Sequence, residues 1–408
     1  MRKLKAAFMG MLMVTALFII GRGVYNASQA NDIRAVQEEE APETEIRTEE
    51  SAGAEIPDGE RLSEVEAALQ EPADIYYAYQ ALKEPEQAVY RELYGALAQM
   101  QESVTLSTVE ERMIDRIYSC VMNDHPELFY VEGYRYTAHT TDGVITAIVF
   151  EGTYSMTAQE AAALERQIEE KLRACFAEVP MNEDEYSTIA YLYEYLIEHT
   201  EYDKDAENNQ NILSVFLEGR SVCQGYALAL QYLLQRVGIQ AMVVTGFTNG
   251  ERHAWDLVRV NGAYYYIDPT WGDASYANGA EAADGGSTPP INYDYFLVTT
   301  DELTRTHSIE RVVPLPICTS TEDNYFVREG FYFESYDREQ LAQIFDSEAA
   351  RTTDYVTIKC GSIETYNDFM HRLIDSQEIF DFISNQGSSI AFTSNHYQRT
   401  ISFWNIFY

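Results

Sequence analysis

The chain has 408 residues, 46% of them hydrophobic and 13% aromatic, so it can bury a large core and is long enough for two or three domains. This composition excludes a chain that is disordered throughout. The formal net charge of -38 predicts a negative surface, which excludes the extended basic patches that bind nucleic acid. We therefore expect no nucleic-acid partner.

Residues 1–25 predict export from the cytoplasm, as a signal peptide or a membrane anchor. Basic residues at positions 2, 3 and 5 precede residues 6–21, which carry no charge. This apolar run is longer than a typical signal-peptide core and shorter than the roughly 20 residues of a comfortable membrane span. Cleavage and retention are both open, and we favour a retained anchor. Either one gives an extracytoplasmic protein, secreted or membrane-anchored, whose N-terminal segment contacts the membrane.

Residues 26–61 are rich in Asp and Glu and contain no aromatic residue, which is typical of an acidic disordered linker. Folded sequence follows, and residues 62–180 predict an N-terminal α+β accessory domain. Apolar spacing and turn residues place its helices at 90–100, 108–122 and 157–176, and its strands at 128–137 and 145–154.

Residues 181–315 form the predicted central region, which contains Cys223. Residues 219–238 predict a buried helix that begins close to this cysteine and ends at Gly238. At a helix start, unpaired amides and the helix dipole favour a thiolate and can stabilise an oxyanion. The alternative is a small buried cysteine that packs the helix start.

The other cysteines give little indication of a metal site. All five cysteines are widely spaced and form no CxxC pair: Cys120, Cys175, Cys223, Cys318 and Cys360. An odd number of cysteines in an exported protein leaves at least one thiol unpaired, and the pairing of the others stays open.

A β-hairpin is predicted after a strand at 241–247. Asn261-Gly262 between two strand-like runs is a strong hairpin signal, and a two-residue loop there makes Val260 face Ala263. The same register makes His253 face Thr270.

That register selects between two aspartates. Asp268 shares the face of His253 and is its diagonal neighbour, whereas Asp256 points to the other face. Asp268 is therefore the residue that can orient His253, although a lone histidine on a strand is more often structural. A metal site built from a strand pair and a helix start is a poor competitor.

Residues 316–408 predict a small C-terminal α/β accessory domain without a chemical motif. Strand-like stretches at 325–333, 355–360 and 389–394 alternate with helical stretches at 339–345 and 365–374.

Three motifs in the central region resemble the transglutaminase-like superfamily of cysteine acyltransferases and proteases. These are C-x-G-Y-A at Cys223, H-A-W at His253 and Y-Y-x-I-D-P-T-W around Asp268, and the resemblance extends over about 186–313. It implies an α+β fold with a papain-like core, in which the cysteine helix packs on an antiparallel sheet. It also implies Cys223 as nucleophile, His253 as base and Asp268 as orienting residue, with no cofactor.

The resemblance gives the remaining residues of the motifs lesser roles. Trp255, Pro269 and Trp271 match the family pattern and shape the site. Asp256 departs from the pattern, since asparagine is expected after the tryptophan in many bacterial members.

The function implied is an exported cysteine-dependent acyl-transfer enzyme that forms a thioester with protein or peptide amides at the cell surface. A protease, a deamidase and a transglutaminase are all open, because the acceptor of the acyl group decides among them. The alternative is a non-catalytic cell-surface binding module with a vestigial transglutaminase-like fold.

Overall fold

A computed structural model describes residues 45–50, 75–180, 184–273, 291–383, 390–404 and 406. The predicted signal segment and most of the predicted linker lie outside these residues. Within the linker, Glu45–Glu50 forms a strand, β1. Among the described residues, no helix is long and apolar enough to cross a membrane. The chain divides into a unit of residues 1–45 and a unit of residues 46–408, and the helices of the described residues all lie in the second.

The N-terminal region combines helices with a four-stranded sheet. The helices are α1 (Tyr77–Ala81), α2 (Glu84–Ala98), α3 (Glu111–Asp124) and α4 (Ala158–Glu178). The strands that follow β1 are β2 (Val104–Thr105), β3 (Val131–Thr141) and β4 (Val144–Tyr154), in the order β1-β3-β4-β2. Helix α4 begins with a capping box in which Thr157 and Glu160 satisfy each other's backbone amides.

The central region carries the cysteine helix and a second sheet. Its helices are α5 (Glu185–Glu198), α6 (Cys223–Arg236), α7 (Pro269–Gly272) and α8 (Thr300–Leu303). Its strands are the short parallel pair β5 (Glu201–Tyr202) and β6 (Arg220–Ser221), then β7 (Ala241–Thr248), β8 (Glu251–Val260), β9 (Ala263–Ile267) and β10 (His307–Glu310).

The second sheet has the order β10-β7-β8-β9, and all its neighbours are antiparallel. Helix α6 packs on β7 and β8. The expected α+β fold, with a cysteine helix on an antiparallel sheet, is therefore confirmed.

Helix α6 is held by an apolar face. Leu230, Leu233 and Leu234 are fully buried, and each such side chain contributes about 1.5–3 kcal/mol of burial free energy. The helix ends where Gly238 takes a φ of +81°, a left-handed conformation that glycine adopts without strain. Cys223 is thereby fixed at the first helical position.

The hairpin register agrees with the sequence prediction at its turn and departs from it at its far end. Val260 pairs with Ala263, and the pairing continues to Asp256 opposite Ile267. The expected pairing of His253 with Thr270 is wrong, because the chain leaves the sheet after Ile267 and turns into α7. A proline at the first position of α7 has no N–H for a strand partner.

The C-terminal region contains a further four-stranded sheet and several helices. Its helices are α9 (Tyr325–Arg328), α10 (Arg338–Phe345), α11 (Glu348–Thr353) and α12 (Ile363–Phe369). Its strands are β11 (Tyr332–Phe333), β12 (Tyr355–Cys360), β13 (Ala391–Asn395) and β14 (Thr400–Trp404), in the order β11-β12-β14-β13.

The strand expected over 325–333 is mostly wrong. Residues Tyr325–Arg328 form a helix, because the side chain of Asn324 caps it by accepting the amide of Phe326. Only Tyr332–Phe333 pairs as a strand, parallel to β12.

Two large hydrophobic clusters organise the described part of this unit, beside a small one of Ala227, Val243 and Ala254. The first large cluster runs from Ala78 to Cys318 and is shared by the N-terminal and central regions, while the second runs from Phe333 to Ile406. A buried ion pair joins the central and C-terminal regions, since Lys359 Nζ of β12 lies 2.9 Å from a carboxylate oxygen of Glu302 in α8. The apolar packing thus changes near the predicted boundary at 316, whereas it is continuous across 180.

Candidate active site

Cys223 lies at an open helix start. The residue before it, Val222, makes no side-chain capping hydrogen bond, and the first turn of α6 contains no acidic residue. The first amides of a helix have no intrahelical partner, so those of α6 are suited to bind an anion. The side chain of Cys223 thus lies beside backbone amides that can bind an anion.

Cys223 is also the accessible thiol. All five cysteines are free, and Cys223 is the partly exposed one while the other four are buried. Burial raises the pKa of Cys120 and Cys360 to about 12, and that of Cys175 and Cys318 to about 11. These four thiols are therefore protonated and unreactive at neutral pH.

The glycine of the C-x-G-Y-A motif allows close packing beside the cysteine. A Cβ at Gly225 would lie only 1.9 Å from Oγ of Ser221, so no larger residue fits there. The hydroxyl of Ser221 donates to the carbonyl of Asn209 at 3.0 Å, which ties the preceding loop to the first turn of α6.

His253 and Asp268 form a buried pair on one face of the second sheet. Nε2 of His253 lies 2.7 Å from Oδ2 of Asp268, and their side chains are 4% and 0% exposed. The second oxygen, Oδ1, accepts the backbone amides of Thr270 at 3.0 Å and Trp271 at 3.1 Å. The aspartate therefore caps α7 with one oxygen and holds the histidine with the other.

His253 also interacts with the thiol. Cys223 lies close enough to His253 for its thiol to contribute to raising the pKa of the imidazole. Because Nε2 is engaged by Asp268, the nitrogen left for the thiol is Nδ1. The three residues singled out by the sequence are thus brought together in the order thiol, imidazole, carboxylate.

Their protonation follows from this arrangement. Burial favours the neutral ring of His253, but the Asp268 carboxylate and then Cys223 outweigh it and raise the pKa of His253 to about 10. Burial opposes ionisation of Asp268, yet contacts with His253 and His307 hold the pKa of Asp268 well below its usual range. A protonated imidazole beside an ionised carboxylate is the favoured state at neutral pH.

Asp256 occupies a different environment. It is fully buried, and within the described ranges neither of its carboxylate oxygens has a hydrogen-bond partner. Burial and the nearby Asp268 charge raise the pKa of Asp256 well above its usual value. Asp256 is therefore a core residue whose environment favours the protonated form, and no hydrogen bond joins it to His253.

His307 is a site residue that the sequence analysis missed. Its Nε2 lies 3.1 Å from Oδ2 of Asp268, so two imidazoles share one carboxylate oxygen. Strand β10 reaches the site by pairing with β7, where Ile309 faces Gly246 and Gly246 faces His253. A Cβ at Gly246 would lie 1.9 Å from the backbone oxygen of Ser308 and 2.8 Å from the ring of Trp255, so glycine lets β10 approach β7 closely.

His253, Asp268 and His307 have the residue types of a metal site. Their candidate ligand atoms lie within 4.8 Å of one another, and two imidazoles with one carboxylate suit Zn²⁺. Both Nε2 atoms, however, already lie at hydrogen-bonding distance from the same oxygen of Asp268. Hydrogen bonds therefore account for the arrangement, and the metal is kept as an alternative to be tested.

A comparison with protein-family models gives a match to the segment that contains Cys223, His253 and Asp268. Residues 176–269 match the family model of the Transglutaminase-like superfamily. This segment is a transglutaminase-like domain. It contains Cys223, His253 and Asp268 and ends before His307. A comparison with curated proteins gives no match.

Solved structures similar to part of this chain have low sequence identity. One is a TGase at 14% identity, covering 34% of this chain and 50% of that chain with a TM-score of 0.25. Another is the periplasmic domain of TgpA from Pseudomonas aeruginosa bound to ethylmercury, at 15% identity, 34% and 59% coverage and a TM-score of 0.23. A third is menin, at 20% identity, 28% and 26% coverage and a TM-score of 0.23. The chain thus spans about half the length of the first of these proteins, and TM-scores this low support no inference about activity.

Proposed function

We propose that the protein is an extracytoplasmic cysteine-dependent acyl-transfer enzyme that acts on protein or peptide amides. The observation that carries this proposal is the contact of Asp268 with one nitrogen of His253, whose pKa the thiol of Cys223 also helps to raise. Nucleophile, base and orienting residue are the three groups that such chemistry requires.

In the first half of the reaction, the thiolate of Cys223 attacks the amide carbonyl carbon. The resulting oxyanion is held by the free amides at the start of α6. The C–N bond then breaks, and the protonated imidazole of His253 transfers its proton to the departing amine. The product of this half is a thioester on Cys223.

In the second half, an acceptor attacks the thioester. His253, now neutral, takes the proton of the acceptor while the new bond forms and the Cys223 thiolate leaves. Water as acceptor gives proteolysis or deamidation, and an amine gives cross-linking. Asp268 keeps the ring of His253 in one orientation through both halves.

The export signal supports a cell-surface substrate. A basic start followed by an uncharged run at 6–21 orients the remainder of the chain outside the cytoplasm. Treatment of intact cells with a protease tests this location. Digestion of residues 62–408 is expected, and their full protection would place the protein inside the cell.

The enzymatic proposal is tested by trapping the thioester. Purified protein is incubated with a peptide library and, separately, with a glutamine-containing peptide. The reaction is quenched in acid, the protein is digested, and the mass of the peptide containing Cys223 is measured by mass spectrometry. A mass increase equal to the acyl fragment is expected on wild type and is absent from the Cys223→Ala variant. Repeating the reaction in ¹⁸O-labelled water, with and without a primary amine, identifies the acceptor.

The non-catalytic alternative predicts a different outcome. A binding module would retain its peptide ligands without any adduct, and its affinity would be the same in wild type and in the Cys223→Ala variant. No adduct with either substrate set, together with unchanged binding, would contradict the enzymatic proposal.

A further inference from the structure

A chain of hydrogen bonds extends beyond Asp268 into the core. His307 is 3% exposed, and its Nδ1 lies 2.8 Å from Oγ1 of Thr306. Oγ1 of Thr306 in turn lies 2.8 Å from the hydroxyl of Tyr295. The chain therefore runs from Tyr295 through Thr306 and His307 to Asp268, and then to His253.

One arrangement of protons satisfies every member of this chain. An ionised carboxylate only accepts, so Nε2–H of His307 donates to Asp268. When Nε2 carries the only N–H of the ring, Nδ1 accepts from the hydroxyl of Thr306, which accepts from Tyr295. Every donor points towards Asp268, and hydrogen bonds aligned in this way strengthen one another.

The carboxylate of Asp268 is consequently fixed by four donors. Two backbone amides occupy Oδ1, and the two imidazoles occupy Oδ2. The ring of His307 is itself held by aromatic neighbours at centroid distances of 4.9 to 5.1 Å, namely Trp255, Trp271 and Tyr295. Rotation of the carboxylate would break at least one of these contacts.

We infer that His307 is a positioning residue of the proposed thiol site: it holds Oδ2 of Asp268 on His253 and thereby holds the imidazole against Cys223. This inference rests on the proposed function, because positioning matters only if Cys223 is the nucleophile. It extends the site by a residue from β10, outside the segment 176–269 that matches the superfamily.

The reactivity of Cys223 towards iodoacetamide tests the inference without knowledge of the substrate. At pH 6 an isolated thiol is about 0.3% ionised, so fast alkylation there reports a thiolate paired with imidazolium. The tyrosines that interact with Asp268 stay neutral between pH 5 and 9, because burial raises the pKa of each: Tyr193, Tyr202 and Tyr295. Burial also raises the pKa of Asp256.

Three variants separate positioning from packing. His307→Leu removes the donor and keeps an apolar side chain in the space. His307→Gln keeps an N–H near the position of Nε2. Thr306→Val removes the hydroxyl that orients the ring. His125→Leu is the matched control, since His125 is 1% exposed and stacks on Tyr94 with no contact to Asp268.

The alkylation rate at pH 6 is expected to fall roughly 10–100-fold in His307→Leu, as for other supporting residues of a reactive group. His307→Gln should keep most of the wild-type alkylation rate at pH 6. Thr306→Val should lower that rate several-fold. At pH 9.5, where an ordinary thiol ionises unaided, all rates should converge. The control should match wild type throughout.

Three outcomes would overturn the inference. One is an unchanged rate at pH 6 in His307→Leu, or in Thr306→Val if the leucine variant does not fold. Another is an equal fall in a variant's alkylation rate at pH 6 and at pH 9.5, which indicates general misfolding. The third is faster alkylation of wild type after dialysis against a chelator, which would show that His253, Asp268 and His307 bind a metal ion. If wild type itself lacks reactivity at pH 6, the proposed function fails instead.

Discussion

Asp256 and Asp268 are both fully buried, but Asp256 pairs with Ile267 inside the β8–β9 hairpin whereas Asp268 caps α7 just beyond it. Asp268 contacts His253 at 2.7 Å, whereas Asp256 has no hydrogen-bond partner among the described residues. Asp268→Ala should therefore lower the rate of thioester formation by up to about ten-thousandfold, the effect of removing an orienting aspartate. Asp256→Ala should change the rate less than tenfold. Single-turnover acylation, with folding checked by circular dichroism, makes the measurement, and the reverse order would contradict the assignment.

The buried carboxyl of Asp256 should cost stability at neutral pH. Its pKa is raised on folding, so folding stability falls as the pH rises above the unfolded value of about 3.9. Asp256→Asn removes this pH dependence and places in the chain the asparagine expected for the family. Urea unfolding at pH 5 and pH 8 should show that the variant gains stability relative to wild type as the pH rises, by up to about 1.4 kcal/mol per pH unit. A constant difference would indicate that Asp256 is ionised in the folded protein.

The pairing of His253 with Asp268 should also make folding stability fall as the pH rises, over a higher pH range. The folded pKa of His253 is raised, so its contribution is fully present below about pH 6.5 and is lost as the pH rises towards about 10. In a Cys223→Ala background, which removes the titration of the thiol, stability should fall between pH 6.5 and 8 by up to about 1.4 kcal/mol per pH unit. Adding His253→Gln should flatten this slope, and equal slopes in both proteins would refute the pairing.

Cys223 should be the thiol that reacts first in the folded protein. At pH 6 iodoacetamide should modify Cys223 faster than it does in urea, because the helix start and the imidazole favour the thiolate. The four buried cysteines should stay unmodified until the protein unfolds. Peptide mapping by mass spectrometry measures each site. Reactivity no higher than in urea would remove the support for an activated nucleophile.

The ion pair of Lys359 and Glu302 should matter for the docking of the C-terminal region. Their side chains are 2% and 10% exposed, so Lys359→Met leaves a buried unpaired carboxylate and should cost about 3–5 kcal/mol of unfolding free energy. The matched control is Arg173→Met, which breaks an ion pair with Glu170 that is 74% and 68% exposed and should cost at most about 1 kcal/mol. Equal losses of unfolding free energy in the two variants would show that burial does not determine how much the Lys359–Glu302 pair contributes.

Much of the site was predictable because its determinants are local. A glycine-terminated apolar run fixes the helix that begins at Cys223, and a two-residue turn at Asn261 fixes which residues share a face with His253. The period of two along a strand then decides between Asp256 and Asp268 without further information. The same local rules failed where a side chain intervened, since Asp268 caps α7 and ends the strand before Thr270.

Only the tertiary structure decided which distant segments complete the site. Nothing in the periodicity of β10 shows that it pairs with β7, about 60 residues earlier, and so brings His307 to the same oxygen of Asp268. The approach of Cys223 to His253 likewise depends on how α6 packs on the sheet. Local sequence sets the face on which a side chain lies, because backbone geometry repeats every few residues. The choice of neighbouring strand depends on burial summed over the whole core, which no single segment encodes.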